Sequence, residues 1–262
     1  MCTASSGAQD GTTISAVVPD AKAELTPPDP ALVEELAIAN RILFRQGVVD
    51  AFGHISVRHD KRPDRYLLAR NMAPALVTPN DIIEFDLDSN PLTASGRAVY
   101  LERFIHGEIY RTRPDVIAVV HSHSPAVVPF GIVKSVAFRP VCHMSGFIGE
   151  ATPIFEIRDV AGDASDLLVR DRKLGAALAQ TLGVGSVVLM RGHGSTAVGN
   201  SIRQVVYRAV YTEINARLQS EAMRLGPVTY LTPGEARTAD VNVGTQINRA
   251  WDFWRMQAEG KI

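Results

Sequence analysis

The chain has 262 residues, 46% of them hydrophobic and 21% charged, with 27 basic residues against 28 acidic ones. A near-neutral chain of this size buries a large core without staples and offers no broad electrostatic footprint for nucleic acid. Its two cysteines, Cys2 and Cys142, exclude a disulfide scaffold and fit a reducing, cytoplasmic location. No apolar run approaches the roughly 18–20 residues of a membrane helix, so no membrane partner is expected.

Residues 1–28 are rich in Ala, Ser, Thr, Gly, Asp and Pro and read as a disordered extension, leaving 29–262 as a single domain. Asp29 and Pro30 are a helix-start signal, and Leu32, Val33, Leu36, Ala37, Leu43 and Phe44 continue it at helical spacing as far as Gly47. Short strands follow at Ile55 to Arg58, Tyr66 to Ala69 and Asp81 to Leu87, the last closed by the turn signal of Asp88, Ser89, Asn90 and Pro91. A helix is expected from Val99 to Arg113, then a buried strand from Val116 that runs into His121. A helix near Arg170 to Leu182 precedes a strand from Ser186 to Met190, which runs into Arg191, Gly192, His193 and Gly194. A long amphipathic helix is expected over Ser201 to Leu225 and a last helix near Val243 to Ala258. Strands and helices interleave without a strict βαβ rhythm, so the fold class is α/β with a mixed or mostly antiparallel sheet.

Three of the seven histidines sit where apolar strands end. His121 and His123 are two apart, so an extended chain points both imidazoles to one side. His193 follows in a glycine-flanked loop where backbone can approach closely. Three neutral imidazoles with an open fourth position describe a catalytic divalent-metal site. The other reading is one or two hydrogen-bonded structural histidines. Glu102 lies 19 residues before His121 in the expected helix, either as a solvated charge or as an acid/base group, with His106 one turn on as a partner that could orient it. His143 and His59 read as a core or loop histidine and an exposed one. Tyr207 and Tyr211 read as core packing or as phenols reaching a pocket at a subunit boundary, and Trp251, Phe253 and Trp254 as an aromatic tail that docks on the body or on a neighbouring subunit.

Gly53 to Arg58, Glu102, Arg113 to Pro125 and His193-Gly194 together resemble the class II aldolase/adducin family over roughly residues 30–230. The resemblance implies a three-layer α/β/α sandwich around a mainly antiparallel sheet and a homotetramer. It implies that His121, His123 and His193, with Glu102, hold one divalent metal ion per subunit, Zn, Mn, Fe or Co. It also implies that Glu102 is the catalytic acid/base. Sugar-phosphate members hold phosphate with a Gly-Asn pair, a Thr/Gly turn and two serines before the acidic residue. Here those places carry Gly53-His54, Leu68-Ala69-Arg70-Asn71 and Tyr100-Leu101, which argues against a phosphorylated substrate. Gly53, His54 and Arg70 are the substrate-binding candidates, Arg70 as a bidentate grip on a carboxylate or else as a structural salt bridge, and His54 as a pocket group or else as a hydrogen-bonded turn residue. Residues 66–79, 100–115 and 139–149 resemble the members that decarboxylate hydroxylated phthalates and hydroxy-methyl-pyridine dicarboxylates. The expected function is a metal-dependent carbon–carbon lyase acting on a small carboxylated aromatic molecule. Aldol cleavage of a non-phosphorylated hydroxy-keto acid, Fe(II)-dependent oxidative decarboxylation and a non-enzymatic interaction module are the alternatives.

Overall fold

The computed structural model describes residues 26–262. Most of the extension expected over 1–28, and Cys2 with it, lies outside the described residues. Helix α1 (Pro30–Arg45) starts as its sequence signals dictate: the Asp29 carboxylate accepts from the Ala31 N–H at 2.9 Å, and Pro30 occupies the first turn. Three short strands follow, β1 (His54–Arg58), β2 (Arg65–Ala69) and β3 (Ile82–Asp86). Next come α2 (Arg103–Thr112), β4 (Ala118–Ser122), α3 (Val128–Ile132), β5 (Ile154–Phe155) and α4 (Arg158–Ala161). The chain continues through α5 (Arg172–Leu182), β6 (Val187–Met190), β7 (Gly194–Gly199) and α6 (Ile202–Leu225), and closes with α7 (Pro233–Gly244) and α8 (Ile247–Ala258).

The seven strands form one sheet in the order β3-β2-β1-β4-β7-β6-β5. Every pairing is antiparallel except β5 with β6. Two apolar cores flank it, as the two-residue period of a strand requires. One gathers Ile55, Val57, Val120 and Leu189 against α1, α6 and α8. The other gathers Leu68, Phe85, Val119 and Val188 against α2 and α5. The molecule is therefore the expected α/β/α sandwich around a mainly antiparallel sheet.

Several elements depart from the sequence reading. Strand β7 was not expected: its Gly-Ser-Thr run carries weak β signals, yet the antiparallel pairing with β4 and β6 buries it on both sides. Helix α7 was missed too, although Thr232 and Glu235 form a capping box at its start. Helix α6 is not simply amphipathic. Its Asn215 and Gln219 are fully buried because they bond the backbone of Ala137, Arg139 and Val141, a segment that has no strand partner for those groups. His59 is buried rather than exposed, with its Nε2 3.0 Å from the Thr26 carbonyl. In the aromatic tail, Trp251 and Trp254 pack into the α1/α6 core, while Phe253 stays half exposed. Tyr207 is buried, as core packing predicts, and its hydroxyl donates to the Met144 carbonyl at 2.7 Å.

Candidate active site

The site lies at the ends of β4 and β6, on the α2/α5 side of the sheet. β4 carries His121, and His123 follows one residue beyond its end. His193 sits in the three-residue turn between β6 and β7. Gly194 permits this approach: a Cβ there would stand 2.0 Å from the Ser122 carbonyl oxygen, so any larger residue would push β7 off β4. Glu102 does not lie inside a helix as expected. Helix α2 begins one residue later, and Glu102 occupies the turn before it with its carboxylate turned inward, 7% exposed.

These four residues, far apart in the chain, converge. The Nε2 atoms of His121 and of His193 each lie 2.9 Å from Nε2 of His123. Glu102 Oε2 lies 3.4 Å from His121 Nε2, 3.4 Å from His193 Nε2 and 3.9 Å from His123 Nε2. The outer edges of the rings are held as well. The Nδ1 of His121 faces the Ser195 carbonyl at 3.2 Å, and that of His193 faces the Leu167 carbonyl at 2.9 Å. A carbonyl can only accept, so both Nδ1 atoms donate and both Nε2 lone pairs point inward. Glu102 Oε1 accepts from the Val169 N–H at 2.9 Å, which leaves Oε2 for the centre.

The donor set fits a divalent cation. One ligand atom from each of the four residues lies within 4.8 Å of all the others. Inward lone pairs repel one another unless a positive charge sits among them, and backbone carbonyls holding the far nitrogens are the usual support of metal-ligating histidines. Three nitrogens and one carboxylate oxygen suit Zn²⁺, Mn²⁺, Fe²⁺ or Co²⁺.

Electrostatics agree with this arrangement. Burial pushes the Glu102 carboxyl upward, but His121 above all, with His123 and His193, outweighs it and keeps the group ionised. Burial pulls His121 down to about 4, against the opposing pull of Glu102. Burial also pulls on His193, but there the Glu102 carboxylate wins and the ring moves upward. His54 and His106 are driven down, in both cases mainly by burial, His106 to about 3.

A cavity of about 360 Å³ opens beside the cluster, lined among others by Phe52, Gly53, His54, Asn71, Tyr100, Glu102 and His123. Gly53 holds φ +94, and a Cβ there would meet Val49 Cγ1 at 2.6 Å and the His121 carbonyl at 3.0 Å, so a side chain is excluded twice over. His54 faces His121 across the β1–β4 ladder, and its ring packs against Tyr100 at 4.6 Å. Of the two readings of Arg70, the structure shows the salt bridge. The residue lies beyond the end of β2, does not line this cavity, and its Nε donates to Asp81 at 2.7 Å. His106 does not orient Glu102: its Nε2 meets His54 Nδ1 at 2.7 Å and its Nδ1 meets Ser56 Oγ at 2.6 Å.

The sequence reading missed the 167–169 segment altogether. Leu167 adopts φ +68, a left-handed backbone unusual for a branched apolar residue, and so aims its carbonyl at His193 while Val169 reaches Glu102. No residue type marks such a role, because backbone groups do the work. Asn71 and Phe52 were likewise not singled out. A larger cavity, about 840 Å³, lies between α6, α7 and α8 and is lined by Tyr207, Tyr211 and Trp254 among others, but it contains none of the four convergent ligands. Convergent chemistry, not volume, locates the site.

Residues 34–220 match the Class II Aldolase and Adducin N-terminal domain, and the chain belongs to that family. Among characterised relatives, it is 40% identical over 241 residues to the decarboxylase tropJ of Talaromyces stipitatus, covering 83% of this chain and 90% of that one. It is 34% identical over 234 residues to the 3,4-dihydroxyphthalate decarboxylase of Arthrobacter keyseri, with coverage of 83% and 90%. The fold matches the crystal structure of an aldolase II superfamily protein from Pseudomonas syringae with a TM-score of 0.75 at 18% identity, covering 91% of this chain and 96% of that one. The chain thus stands in an enzyme family and beside relatives that are decarboxylases.

Proposed function

We propose that this protein is a divalent-metal-dependent decarboxylase of a small hydroxylated aromatic carboxylate or dicarboxylate. The convergence of three inward-facing imidazole nitrogens on an ionised, buried carboxylate carries the reading. The decarboxylase relatives that span most of the chain support the choice of reaction. His121, His123 and His193, with Glu102, would hold the ion. Bound there, it would supply Lewis-acid stabilisation for the negative charge that develops as a carbon–carbon bond breaks.

The remaining chemistry belongs to the chain. Glu102 is ionised at rest; it would take the proton of a ring hydroxyl as the substrate enters and deliver it to the ring carbon as the carbon–carbon bond breaks and CO₂ departs. Gly53 lets the chain enter β1 hard against Val49 and the His121 carbonyl at the edge of the cavity, and His54 and Tyr100 form the wall against which an aromatic ring rests. The Tyr100 hydroxyl is already committed to the Met72 carbonyl and the neighbouring Leu101 is apolar, so this wall lacks the hydroxyl pair that grips a phosphate. A carboxylated, unphosphorylated substrate fits it better.

In this reading the enzyme is a cytoplasmic homotetramer, as its resemblance to the family implies; among the described residues no helix is long and apolar enough to cross a membrane. The decisive experiment measures CO₂ release from a panel of hydroxylated benzoates and phthalates by metal-reconstituted protein. Release that disappears on chelation and returns with Zn²⁺, Mn²⁺, Fe²⁺ or Co²⁺ is the expected result. Aldehyde formation from hydroxy-keto acids without CO₂ would make it an aldolase instead, and stoichiometric O₂ consumption would make it an oxygenase.

A further inference from the structure

Behind His54 runs a chain of buried polar groups that the proposed reaction does not use. His54 Nδ1 lies 2.7 Å from His106 Nε2, His106 Nδ1 lies 2.6 Å from Ser56 Oγ, and Ser56 Oγ lies 2.8 Å from the Tyr110 hydroxyl. The Tyr110 hydroxyl in turn lies 3.4 Å from the Ile117 carbonyl, whose other lone pair accepts from the Arg58 N–H at 2.7 Å. Ser56 and His106 are fully buried, and Tyr110 nearly so. The strand supplies His54 and Ser56 at positions i and i+2, and α2 supplies His106 and Tyr110 at positions i and i+4, so each element turns one face to the other.

Counting protons constrains this chain. Two neutral imidazoles and two hydroxyls bring four polar hydrogens, and three internal links use three of them. The fourth must sit at one end. At the far end it lies on Tyr110 and meets the Ile117 carbonyl, an acceptor. At the near end it would lie on His54 Nε2, which has no partner among the described residues and borders the cavity. The Tyr110 hydroxyl has only a protein acceptor within reach, whereas His54 Nε2 borders the cavity and can be met there by solvent or ligand in either form, so placing the hydrogen on Tyr110 leaves no buried group unpaired. The far end also stops at a backbone carbonyl, so the chain cannot pass a proton on to solvent. It sets a tautomer.

We propose that Tyr110, Ser56 and His106 lock His54 in the tautomer that presents a bare Nε2 to the cavity, and that this nitrogen accepts a hydrogen bond from a ring hydroxyl of the substrate. This rests on reading the cavity as the substrate site. His54 then selects for substrates that donate at that place. It discriminates against those whose hydroxyl is missing or methylated, since a site built to pair a hydroxyl is left unpaired without it. Tyr110, Ser56 and His106 are positioning residues that never touch the substrate.

The test reads the tautomer directly. In Zn-loaded, ¹⁵N-histidine-labelled protein, long-range ¹H–¹⁵N correlation spectra should show His54 protonated on Nδ1 and bare on Nε2. Tyr110→Phe removes the acceptor-linked end, leaving three hydrogens for two links, and the spare one then moves to His54 Nε2. Ser56→Ala gives the same reversal by a second route, should the first variant fold poorly. Titration with a hydroxylated phthalate and its methoxy counterpart should show wild-type protein preferring the hydroxyl compound by roughly tenfold or more. That preference should narrow or reverse in both variants. A protonated Nε2 in the wild type, or an unchanged tautomer in the folded variants, overturns the proposal. Neither spectrum nor titration requires turnover, so a protein that releases no CO₂ yet shows the bare Nε2 would overturn the decarboxylase reading and leave this one standing.

Discussion

Strand β1 divides the molecule into two kinds of interior. Ile55 and Val57 point into the α1/α6/α8 core, where they are part of a large buried apolar cluster. Their neighbours His54, Ser56 and Arg58 point the other way, toward α2, where each buried polar group meets a partner: His106, Tyr110 and the backbone of Val116. The first face holds the fold by area removed from water and tolerates imprecision. The second holds named atoms in named places, and a missing partner there leaves a buried group unpaired. The site therefore grows from the second face, and the first face supplies the rigidity behind it.

Variants on the two faces should separate function from stability, and the largest effect is expected at the His/Glu cluster. His193→Ala removes one of the proposed ligands, and both bound metal and turnover should fall by about a hundredfold or more, measured by elemental analysis and CO₂ release. Retention of stoichiometric metal would remove His193 from the ligand set. Glu102→Gln should keep most of the metal and lower turnover by about 10²–10⁴-fold; near-wild-type activity in the loaded variant would end the acid/base role. Gly53→Ala should destabilise by about 2–3 kcal/mol in denaturant unfolding and lower turnover as well, because the added Cβ collides with Val49 and presses on the strand that carries His121. Val57→Ala, on the apolar face, should cost about 2 kcal/mol of stability while leaving metal content and KM unchanged. If Val57→Ala lost metal, the two faces would not be separable as argued. Arg70→Gln should have the smallest effect, less than about 1 kcal/mol with KM unchanged, because the half-exposed guanidinium is engaged by Asp81. A tenfold rise in KM would return Arg70 to the substrate.

Much of this is legible in the sequence. The His-x-His pair at a strand end, the strand running into His193 and the cap at Asp29 are local patterns, and local patterns survive folding. Helix α7 was also legible in its capping box, but its sparse apolar residues hid it. Strand β7 was not, because Gly194, Ser195 and Thr196 become a strand only when β4 and β6 close on both sides. The start of α2 was misplaced for a similar reason: helical periodicity continues through Glu102, while the pull of the histidines and the Val169 amide turns that residue out of the helix. Arg70 shows the opposite limit. Its residue type suits a carboxylate, but whether it meets the substrate or Asp81 depends on where β2 ends.

The sequence alone determined which groups could do chemistry here, since the acid, the three imidazoles and the absence of phosphate-gripping hydroxyls are written in residue identities. Tertiary structure decided which nitrogens face inward, which carbonyls hold them and where each tautomeric hydrogen rests. Those choices depend on the through-space meeting of segments up to ninety residues apart, such as Glu102 with His193, and no local preference of the chain encodes such a meeting.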